Sequence, residues 1–351
     1  MKSRCRTNTY RIFGFLLALL VITACGPGKR KGDPKILVFS KTAGFRHSSI
    51  ETGAKAIVKM GQEKGFTVDT TENSAVFNDD SLKKYSAVVF LNTTGDVLNA
   101  AQEAAFERYI QAGGGFVGIH SATDTEYDWK WYGRLVGAYF AHHPEIQEAR
   151  LVRHSDPRFP ELDSLPEEWL HTDEWYNFRE VPDHVNTLIT LDESSYKGGR
   201  NGENHPMTWY HEYDGGRAFF MGQGHREESY ALPSFQAILY AGISYAIGEN
   251  RELDYSKVRT LLPPDEDRFS KVILGRELDE PTELTILPDN NILIAERKGG
   301  LKFYNAQTKT LEEIARLDVY HHTDVPNVNV EMGFMGIQAD PDYGNNHWVY
   351  A

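Results

Sequence analysis

The chain has 351 residues, 40% of them hydrophobic and 25% charged, and a formal net charge of −13. This composition is that of an ordinary globular protein, and the length indicates two domains, or one domain and part of a second. Because no long basic run lies beyond the extreme N-terminus, the sequence argues against nucleic acid as a partner.

Residues 1–25 predict a bacterial lipoprotein signal peptide, in which basic residues precede an apolar run too short to span a bilayer. The run ends in ITACG, which resembles a lipobox and predicts cleavage before Cys25 and lipidation of its thiol. The alternative is ordinary signal cleavage, with Cys25 incidental. We expect a lipid-anchored protein of the bacterial cell envelope, on the periplasmic or surface side, with residues 26–34 as a tether. The other cysteine, Cys5, lies inside the peptide, so the mature chain has no disulfide.

Residues 35–249 show short apolar runs that alternate with amphipathic segments. This alternation predicts an α/β domain with a doubly wound, mainly parallel sheet. Ser49 is the predicted N-cap of the first helix. The predicted strands are residues 35–40, 67–71, 87–91, 116–119, 149–153, 187–191, 207–211 and 218–221, and the predicted helices are residues 50–64, 99–112 and 234–247.

The pattern changes after residue 249. Residues 250–270 are polar and contain a Pro-Pro pair, which is typical of a linker. Residues 271–351 begin with short strands at 283–287, 292–296 and 301–304, separated by turn residues. This β-meander is the pattern of a propeller blade, so we expect an incomplete β-propeller segment. The chain ends within an apolar strand, so we expect a fragment of a longer protein.

Polar and aromatic residues are concentrated in residues 113–143, where the fourth strand ends in His120. Ligands of open α/β sheets bind at the carboxyl ends of the strands, and a nucleophile elbow occupies this position in related enzymes. An imidazole there can act as a general base or bind a metal ion, with Asp124 behind it. The alternative is that His120 has only a structural role and forms hydrogen bonds with the neighbouring backbone.

Three further loops carry candidate residues. Arg46 and His47 follow the first strand, where they can bind an anion or a sugar hydroxyl, or where His47 can merely cap a helix. Asp173 and Glu174 are adjacent and point to opposite sides if the segment is extended. We favour Glu174 as the acid in the site and Asp173 as a cap or supporting group. His225 follows a strand and two glycines that allow a ligand to approach the backbone.

The aromatic residues Trp129, Tyr176 and Trp209 offer flat apolar faces that suit a sugar ring, although packing in the core is the alternative for such side chains. A metal site is a second alternative. Its candidate ligands are His120, His142 and His225, with Asp124 and Glu174 as carboxylates, but no HxxxH or HExxH spacing supports it.

Long segments of residues 35–248 closely resemble the ThuA-like (trehalose utilisation) domain. The resemblance implies a class I glutamine amidotransferase-like, flavodoxin-related fold and a link to trehalose-like disaccharides and their 3-keto derivatives. His120 stands where amidotransferases have their cysteine, and MGQGH departs from the Leu-Gly-His run common in relatives. The matching segments are KTAGFRHSSI, GGGFVGIHSATDTEYDWKWYGRLVGAYFAHHP, DEWYNFR, HPMTWYHEYDGGRAFFMGQGH and ESY.

The C-terminal segment is similar to the start of glucose/sorbosone dehydrogenase propellers, through EPTELTILPDNNILIAERKGGLKFYN and EMGFMGIQADPDYGNNHWVY. The resemblance implies pyrroloquinoline quinone and calcium as cofactors of the completed propeller. It places the catalytic histidine and most cofactor ligands beyond Ala351, so no cofactor residue is assigned in this segment. None is assigned to the ThuA-like domain either.

These observations predict a sugar-metabolism protein of the envelope that acts on a disaccharide or keto-sugar by general acid/base chemistry. His120 or Glu174 would move the proton. The alternative is a non-catalytic carbohydrate-binding module that delivers sugar to a downstream quinoprotein dehydrogenase. The sequence makes no prediction of the oligomeric state. The predicted substrate-binding residues are Arg46, His47, Asp124, Trp129, Asp173, Tyr176, Trp209 and His225.

Overall fold

A computed structural model describes residues 28–264, 272–326 and 331–351. The predicted signal peptide, with Cys25, lies outside the described residues, as does most of the acidic part of the predicted linker. The chain divides between Pro263 and Pro264 into two units. Within the described ranges, no helix combines the length and the apolar character that a membrane span requires.

In the first unit, strands alternate with α-helices as far as the fourth α-helix, and the strands after it follow one another without α-helices between them. Its elements are β1 (Lys35–Phe39), α1 (Ser49–Lys64), β2 (Thr67–Thr71), α2 (Asp79–Leu82), β3 (Ala87–Leu91), α3 (Ala100–Gln111), β4 (Gly115–Ile119), α4 (Lys130–Val136), β5 (Phe140–His142), β6 (Gln147–Arg153), β7 (Glu168–Asp173), β8 (Asn177–Phe178), β9 (Asn186–Asp192), β10 (His205–Tyr213), β11 (Gly216–Met221) and α5 (Pro233–Ile247).

Nine of these strands form one mixed sheet in the order β2-β1-β3-β4-β11-β10-β9-β6-β7. Pairing is parallel from β2 to β11 and antiparallel beyond it. The sheet therefore departs from the mainly parallel one expected. The cause is the turn at Asp214 and Gly215, whose φ angles of 48° and 96° close a hairpin between β10 and β11. A two-residue connection can join only antiparallel strands.

The central strands β1, β3 and β4 are buried on both faces, as their continuous apolar sequences predict. Alternate residues of β1 enter different cores: Ile36 packs in the same cluster as Ile57 of α1 and Phe235 of α5. Leu37 packs in the cluster of Phe106, on α3. Helices thus cover both faces of the parallel half of the sheet.

The start of α1 differs from the prediction that Ser49 is its N-cap. Ser48 occupies that position and makes no capping hydrogen bond with its side chain. Ser49 is buried, and its hydroxyl donates to the carbonyl of Gly224 at 2.9 Å. A buried hydroxyl must find a partner, and here the partner is the loop after β11, so Ser49 joins two loops of the same sheet edge.

The second unit contains a four-stranded antiparallel sheet in the order β12-β13-β14-β15 and a separate pair, β16 and β17. The three predicted strands correspond to the first three of these within two residues, whereas β15 was not predicted. This meander is compatible with part of a propeller. The elements are β12 (Pro281–Ile286), β13 (Ile292–Glu296), β14 (Gly300–Asn305), β15 (Thr310–Arg316), β16 (Gln338–Ala339), α6 (Tyr343–Asn346) and β17 (Val349–Tyr350).

A buried carboxylate connects the loops that follow β3 and β4. Glu126 is 3% exposed, and its Oε1 accepts the backbone N–H groups of Val97 at 3.0 Å and Leu98 at 2.8 Å. Burial, together with the charges of Asp96 and Glu103, raises the pKa of Glu126 to about 7 despite these two hydrogen bonds. The protonated acid is therefore the form that the fold favours.

We predict that Glu126 makes stability depend on pH between about 4.5 and 7. Its folded pKa of about 7 exceeds the ordinary value of 4.5, so its contribution is complete below pH 4.5 and is lost as pH rises through 7. Glu126→Gln keeps an acceptor oxygen without the charge. In urea unfolding, the variant should gain about 2–3 kcal/mol relative to wild type between pH 4.5 and 8.

The control is Glu145→Gln, which removes a charge from an exposed side chain. It should follow the wild-type curve over this range. Parallel curves for Glu126→Gln and wild type would contradict the assigned role of Glu126.

Candidate functional site

Four loops at one edge of the sheet bring their side chains to the same place. His47 lies between β1 and α1, His120 follows β4, Glu174 follows β7, and His225 follows β11. One nitrogen or carboxylate oxygen from each of the four lies within 4.8 Å of all the others. The carboxyl ends of parallel strands share an edge, which explains why three of these loops meet.

His120 sits at a sharp turn where β4 ends and a short 3₁₀ helix begins. Its φ of 49° lies in the left-handed region, which non-glycine residues rarely adopt. This is the geometry of a nucleophile elbow, with an imidazole in place of a hydroxyl or thiol. The ring has no exposed surface, its Nδ1 lies 2.9 Å from the carbonyl oxygen of Gly222, and its face packs against Tyr176 at a centroid distance of 4.2 Å.

The carboxylate of Glu174 is surrounded by imidazoles. Its Oε2 lies 3.0 Å from Nδ1 of His225 and 3.4 Å from Nε2 of His120, and its Oε1 lies 3.1 Å from Nδ1 of His143. Burial alone would raise the pKa of Glu174, but the neighbouring imidazoles of His120 and His225 hold this pKa well below its usual range. The carboxylate is therefore ionised at neutral pH.

The imidazoles differ in their environments. Burial, together with the neighbouring His120 and His225, lowers the pKa of His47 to about 3, so its ring is neutral at neutral pH. The carboxylate of Glu174 beside its ring raises the pKa of His225 and outweighs the effect of its partial burial. The cluster therefore combines a fixed negative charge with at least one neutral ring that has a lone pair.

Asp173 supports the cluster from behind. Its side chain is fully buried, and Oδ1 accepts the backbone N–H groups of Glu174 at 2.9 Å and His225 at 3.2 Å. Its Oδ2 accepts the N–H of Gly224 at 2.9 Å. Burial alone would raise the pKa of Asp173, but the hydrogen bond with His171 and the other contacts lower it overall. Asp173 was also predicted to bind substrate, but it is fully buried and does not line the pocket described below, whereas Glu174 does line it.

Gly224 is held by residues that the sequence analysis did not identify as part of the site. Its carbonyl accepts from Ser49 Oγ at 2.9 Å, Asn92 Nδ2 at 3.1 Å and Tyr230 Oη at 3.3 Å. Its φ is 128°, and a Cβ there would lie 3.0 Å from Ile119 Cγ2, so only glycine fits without strain. For Asn92, its position directly after a buried strand was the available signal.

A pocket of about 360 Å³ opens beside the cluster. This volume is at the lower end of the range for small-molecule sites. Asp124 contributes a partly exposed carboxylate that accepts the hydroxyl of Tyr127 at 2.5 Å. The residues that line the pocket are Phe45, His47, Asp124, Phe140, His143, Glu174 and Tyr176.

Arg46 does not line this pocket, although it was predicted to contact substrate. Its guanidinium lies on the surface, 2.7 Å from Glu51 and 2.8 Å from Glu72. The two carboxylates satisfy its charge, which removes the need for an anionic ligand.

Trp129 and Trp209 also lie outside the pocket, and the packing alternative accounts for both. Trp209 is fully buried on β10 and stacks on Phe220 at a centroid distance of 4.3 Å. Trp129 stacks on Trp131 at 5.1 Å and donates its Nε1–H to Glu107 at 3.0 Å. Tyr176 is the member of the predicted aromatic set that reaches the pocket.

His142, a predicted metal ligand, lies outside the cluster, and its neighbour His143 contacts Glu174 instead. His142 Nδ1 is 3.5 Å from the side-chain nitrogen of Asn177. Neighbouring residues of an extended segment point to opposite sides, so only one of two adjacent histidines can face the site. The other two predicted metal ligands, His120 and His225, are brought together, with His47 as a third imidazole.

Comparisons with known proteins agree with this fold. The family model for ThuA, trehalose utilisation, matches residues 35–246, and the model for glucose/sorbosone dehydrogenase matches residues 278–351. No curated protein matches the chain.

Two solved structures of putative ThuA-like proteins resemble the chain over almost two thirds of its length. A putative ThuA-like protein from Bacteroides uniformis is 20% identical, with a TM-score of 0.54, over 64% of this chain and 96% of that chain. One from Parabacteroides merdae is 19% identical, with a TM-score of 0.51, over 62% of this chain and 91% of that one. These likenesses concern the fold. With more than half of its length matched by the family model, the chain belongs to the ThuA (trehalose utilisation) family.

Proposed function

We propose that the ThuA domain acts on a keto-sugar or a disaccharide by general acid/base chemistry, and that His143, supported by Glu174, carries the proton. Both matched families are named for sugar metabolism, which supports a sugar-related role. The observation that carries the proposal is the contact between the ionised carboxylate of Glu174 and a half-exposed imidazole on the wall of a pocket.

The tautomer of His143 follows from its partners. Its Nδ1 lies 2.9 Å from the carbonyl oxygen of Pro144 and 3.1 Å from Oε1 of Glu174. Both oxygens can only accept, so Nδ1 carries the hydrogen and Nε2 of the neutral ring carries the lone pair. The side chain is 42% exposed, so Nε2 is the atom that we assign as the proton acceptor. Glu174 then stabilises the imidazolium that forms, as a carboxylate does in a catalytic triad.

This assignment changes the role expected for His120. That ring is fully buried, hydrogen-bonded to the carbonyl of Gly222 and covered by Tyr176, so a substrate in the pocket has no open path to it. His120 instead contacts Glu174 from the protein side. We therefore keep Glu174 in the site and transfer the proton-carrying role to His143.

The pocket offers both kinds of contact that a sugar needs. Phe140 and Tyr176 lie against each other at a centroid distance of 4.2 Å, and with Phe45 they supply apolar surface for the C–H groups of a ring. Asp124 supplies a carboxylate that can accept a hydroxyl group. In a keto-sugar, the proton on the carbon beside the ketone moves to His143 Nε2, the C–H electron pair forms the new C=C bond, and the carbonyl π pair moves onto oxygen to give the enolate.

The proposal also places the protein on the bacterial envelope, with a lipid on Cys25 and with the sugar domain preceding a dehydrogenase-like segment. The ITACG motif after an apolar run supports the anchor, and the match of residues 278–351 supports the fusion.

Pyrroloquinoline quinone and calcium remain cofactors that the C-terminal family implies for a completed propeller. In residues 272–326 and 331–351, no three histidine, cysteine or acidic side chains converge closely enough to hold a metal ion. The described residues of this segment therefore do not form a side-chain calcium site, and we assign them no step in an oxidation.

We predict that Cys25→Ser prevents lipidation and releases the protein from the membrane fraction. The thiol is the only group in the motif that can carry the thioether-linked lipid. Incorporation of radiolabelled palmitate and fractionation of the expressing bacteria measure both effects. Unchanged labelling of the variant would contradict the anchor.

We predict that His143→Ala lowers proton transfer by at least about 100-fold, because a positioned general base contributes 10²–10⁴-fold. The assay incubates the chain with a 3-keto-disaccharide in D₂O and follows deuterium at the carbon beside the ketone by NMR. Sugar affinity, measured by calorimetry, should change little, since the aromatic surface remains.

His142→Ala is the matched control, because this neighbouring histidine does not contact Glu174. It should exchange deuterium at the wild-type rate. Equal rates for His143→Ala and wild type would overturn the role of His143. Sugar binding with no exchange or turnover by the wild type would favour the non-catalytic carbohydrate-binding module instead.

A further inference from the structure

Four potential metal ligands meet beside the pocket. One atom from each of His47, His120, His225 and Glu174 lies within 4.8 Å of the others. The residues are far apart in the sequence and come from four different loops, so the tertiary fold alone brings them together. The set comprises three ring nitrogens and one carboxylate oxygen.

The hydrogen bonds of His120 show which way its lone pair points. Nδ1 lies 2.9 Å from the carbonyl oxygen of Gly222, which can only accept, so Nδ1 carries the hydrogen. In the neutral ring, Nε2 then presents a lone pair. This atom is buried and makes no hydrogen bond within the described structure, although it lies 3.4 Å from the carboxylate of Glu174.

His225 shows the same pattern at its Nδ1. This atom is also buried and makes no hydrogen bond of acceptable geometry among the described residues, although Oε2 of Glu174 is 3.0 Å away. A carboxylate oxygen therefore faces two ring nitrogens with no well-placed hydrogen between them. Unsatisfied buried polar atoms are rare and costly in native proteins, and a shared cation satisfies all three of these atoms at once.

The donor set selects the kind of cation. Imidazole nitrogen is the favoured protein ligand of zinc and neighbouring transition metals, and one carboxylate beside histidines is common in their sites. Calcium and magnesium prefer ligand sets made of oxygen. Ligand atoms 2.0–2.2 Å from one ion lie no more than about 4.4 Å apart, so the four side chains need only a small inward movement from their present separations.

The ligands are also held from behind, as in established metal sites. The carbonyl of Gly222 fixes the ring of His120, and the hydroxyl of Ser121 lies 3.4 Å from Nδ1 of His47. Asp173 accepts the backbone N–H groups of Glu174 and His225. Each ligand thus has an outer partner that limits its movement.

We propose that His47, His120, His225 and Glu174 bind one divalent first-row transition-metal ion, with zinc as the ion that the donor set suits best. The ion would lie next to the sugar pocket, whose wall includes His47 and Glu174. The inference depends on the proposed function only for this placement beside a sugar. Metal binding itself is tested without any sugar.

The test removes metal from the purified chain with a chelator and titrates it with Co²⁺, whose visible absorption reports histidine-rich coordination, and then with Zn²⁺ in competition. We expect saturation at one ion per chain. His225→Ala should weaken binding by more than about 100-fold, because loss of an outer partner alone costs 10–100-fold. His225 is the most exposed of the three histidines, so its replacement is the least disturbing to the fold.

His184→Ala is the matched control, since it removes an exposed histidine that is outside the cluster. It should bind metal as wild type does. Absence of saturable binding, or equal affinity in wild type and His225→Ala, would overturn the site. Saturable binding combined with normal deuterium exchange by His143→Ala would retain the metal site and remove the proposed role of His143.

We predict that Asp173→Asn lowers metal affinity by about 10–100-fold although Asp173 is not a ligand, because its amide would turn a donor toward backbone N–H groups. The variant should still bind one ion per chain, with a shifted Co²⁺ spectrum. Asp183→Asn, at a fully exposed side chain, is the control. An unchanged affinity and spectrum for Asp173→Asn would contradict its positioning role.

Discussion

The anion of Glu174 organises the site. A carboxylate that is removed from water requires compensation from opposite charge or from hydrogen-bond donors, because its desolvation is costly. Three imidazoles on different loops lie 3.0–3.4 Å from its two oxygens. His143 donates to Oε1, and the proposed cation would compensate the charge at Oε2. Each of these loops must therefore hold its position for the carboxylate to be tolerated. The carboxylate of Glu174 thus gives the pocket its charge and also requires the surrounding loops to keep fixed positions.

The backbone around this anion is fixed by a second carboxylate. Asp173 is fully buried and accepts the backbone N–H groups of Glu174, Gly224 and His225, which join the loops after β7 and β11. Its neighbour Glu174 points the opposite way, which follows from the alternation of an extended segment. The two adjacent acids thus have different roles: Asp173 fixes the loops and Glu174 faces the pocket. The turn at His120, whose φ lies in the left-handed region, positions the loop after β4 in addition to the loops held by Asp173.

Much of the fold could be predicted because its signals are local. Continuous apolar runs identified the buried central strands, and the loops that follow β1, β4 and β11 contribute side chains that meet at one edge of the sheet. His120 and His225 were found in this way, whereas Glu174 was chosen as one of two adjacent acids; the structure brings the three together. The antiparallel half of the sheet was harder, because β7 alternates exposed and buried residues within a segment that looked like a polar loop.

The rest depended on tertiary contacts that residue type does not show. A tryptophan can stack on a sugar ring or pack in the hydrophobic core, and only its burial in the structure distinguishes the two roles, as for Trp209. Arg46 is satisfied by Glu72, which is distant in the sequence. Which of His142 and His143 contacts Glu174 depends on the side of an irregular strand that each one faces. The sequence could therefore mark the two histidines as candidates but not show which of them reaches the site.

The central claim is that buried lone pairs and one carboxylate form a cation site beside a sugar-sized pocket. Anomalous diffraction from crystals of the zinc-loaded chain, collected on both sides of the zinc absorption edge, tests it most directly. The account predicts one strong peak about 2.0–2.2 Å from ring nitrogens of His47, His120 and His225 and from an oxygen of Glu174. A zinc-loaded crystal with no peak at this cluster, or with peaks only at surface histidines, would contradict it.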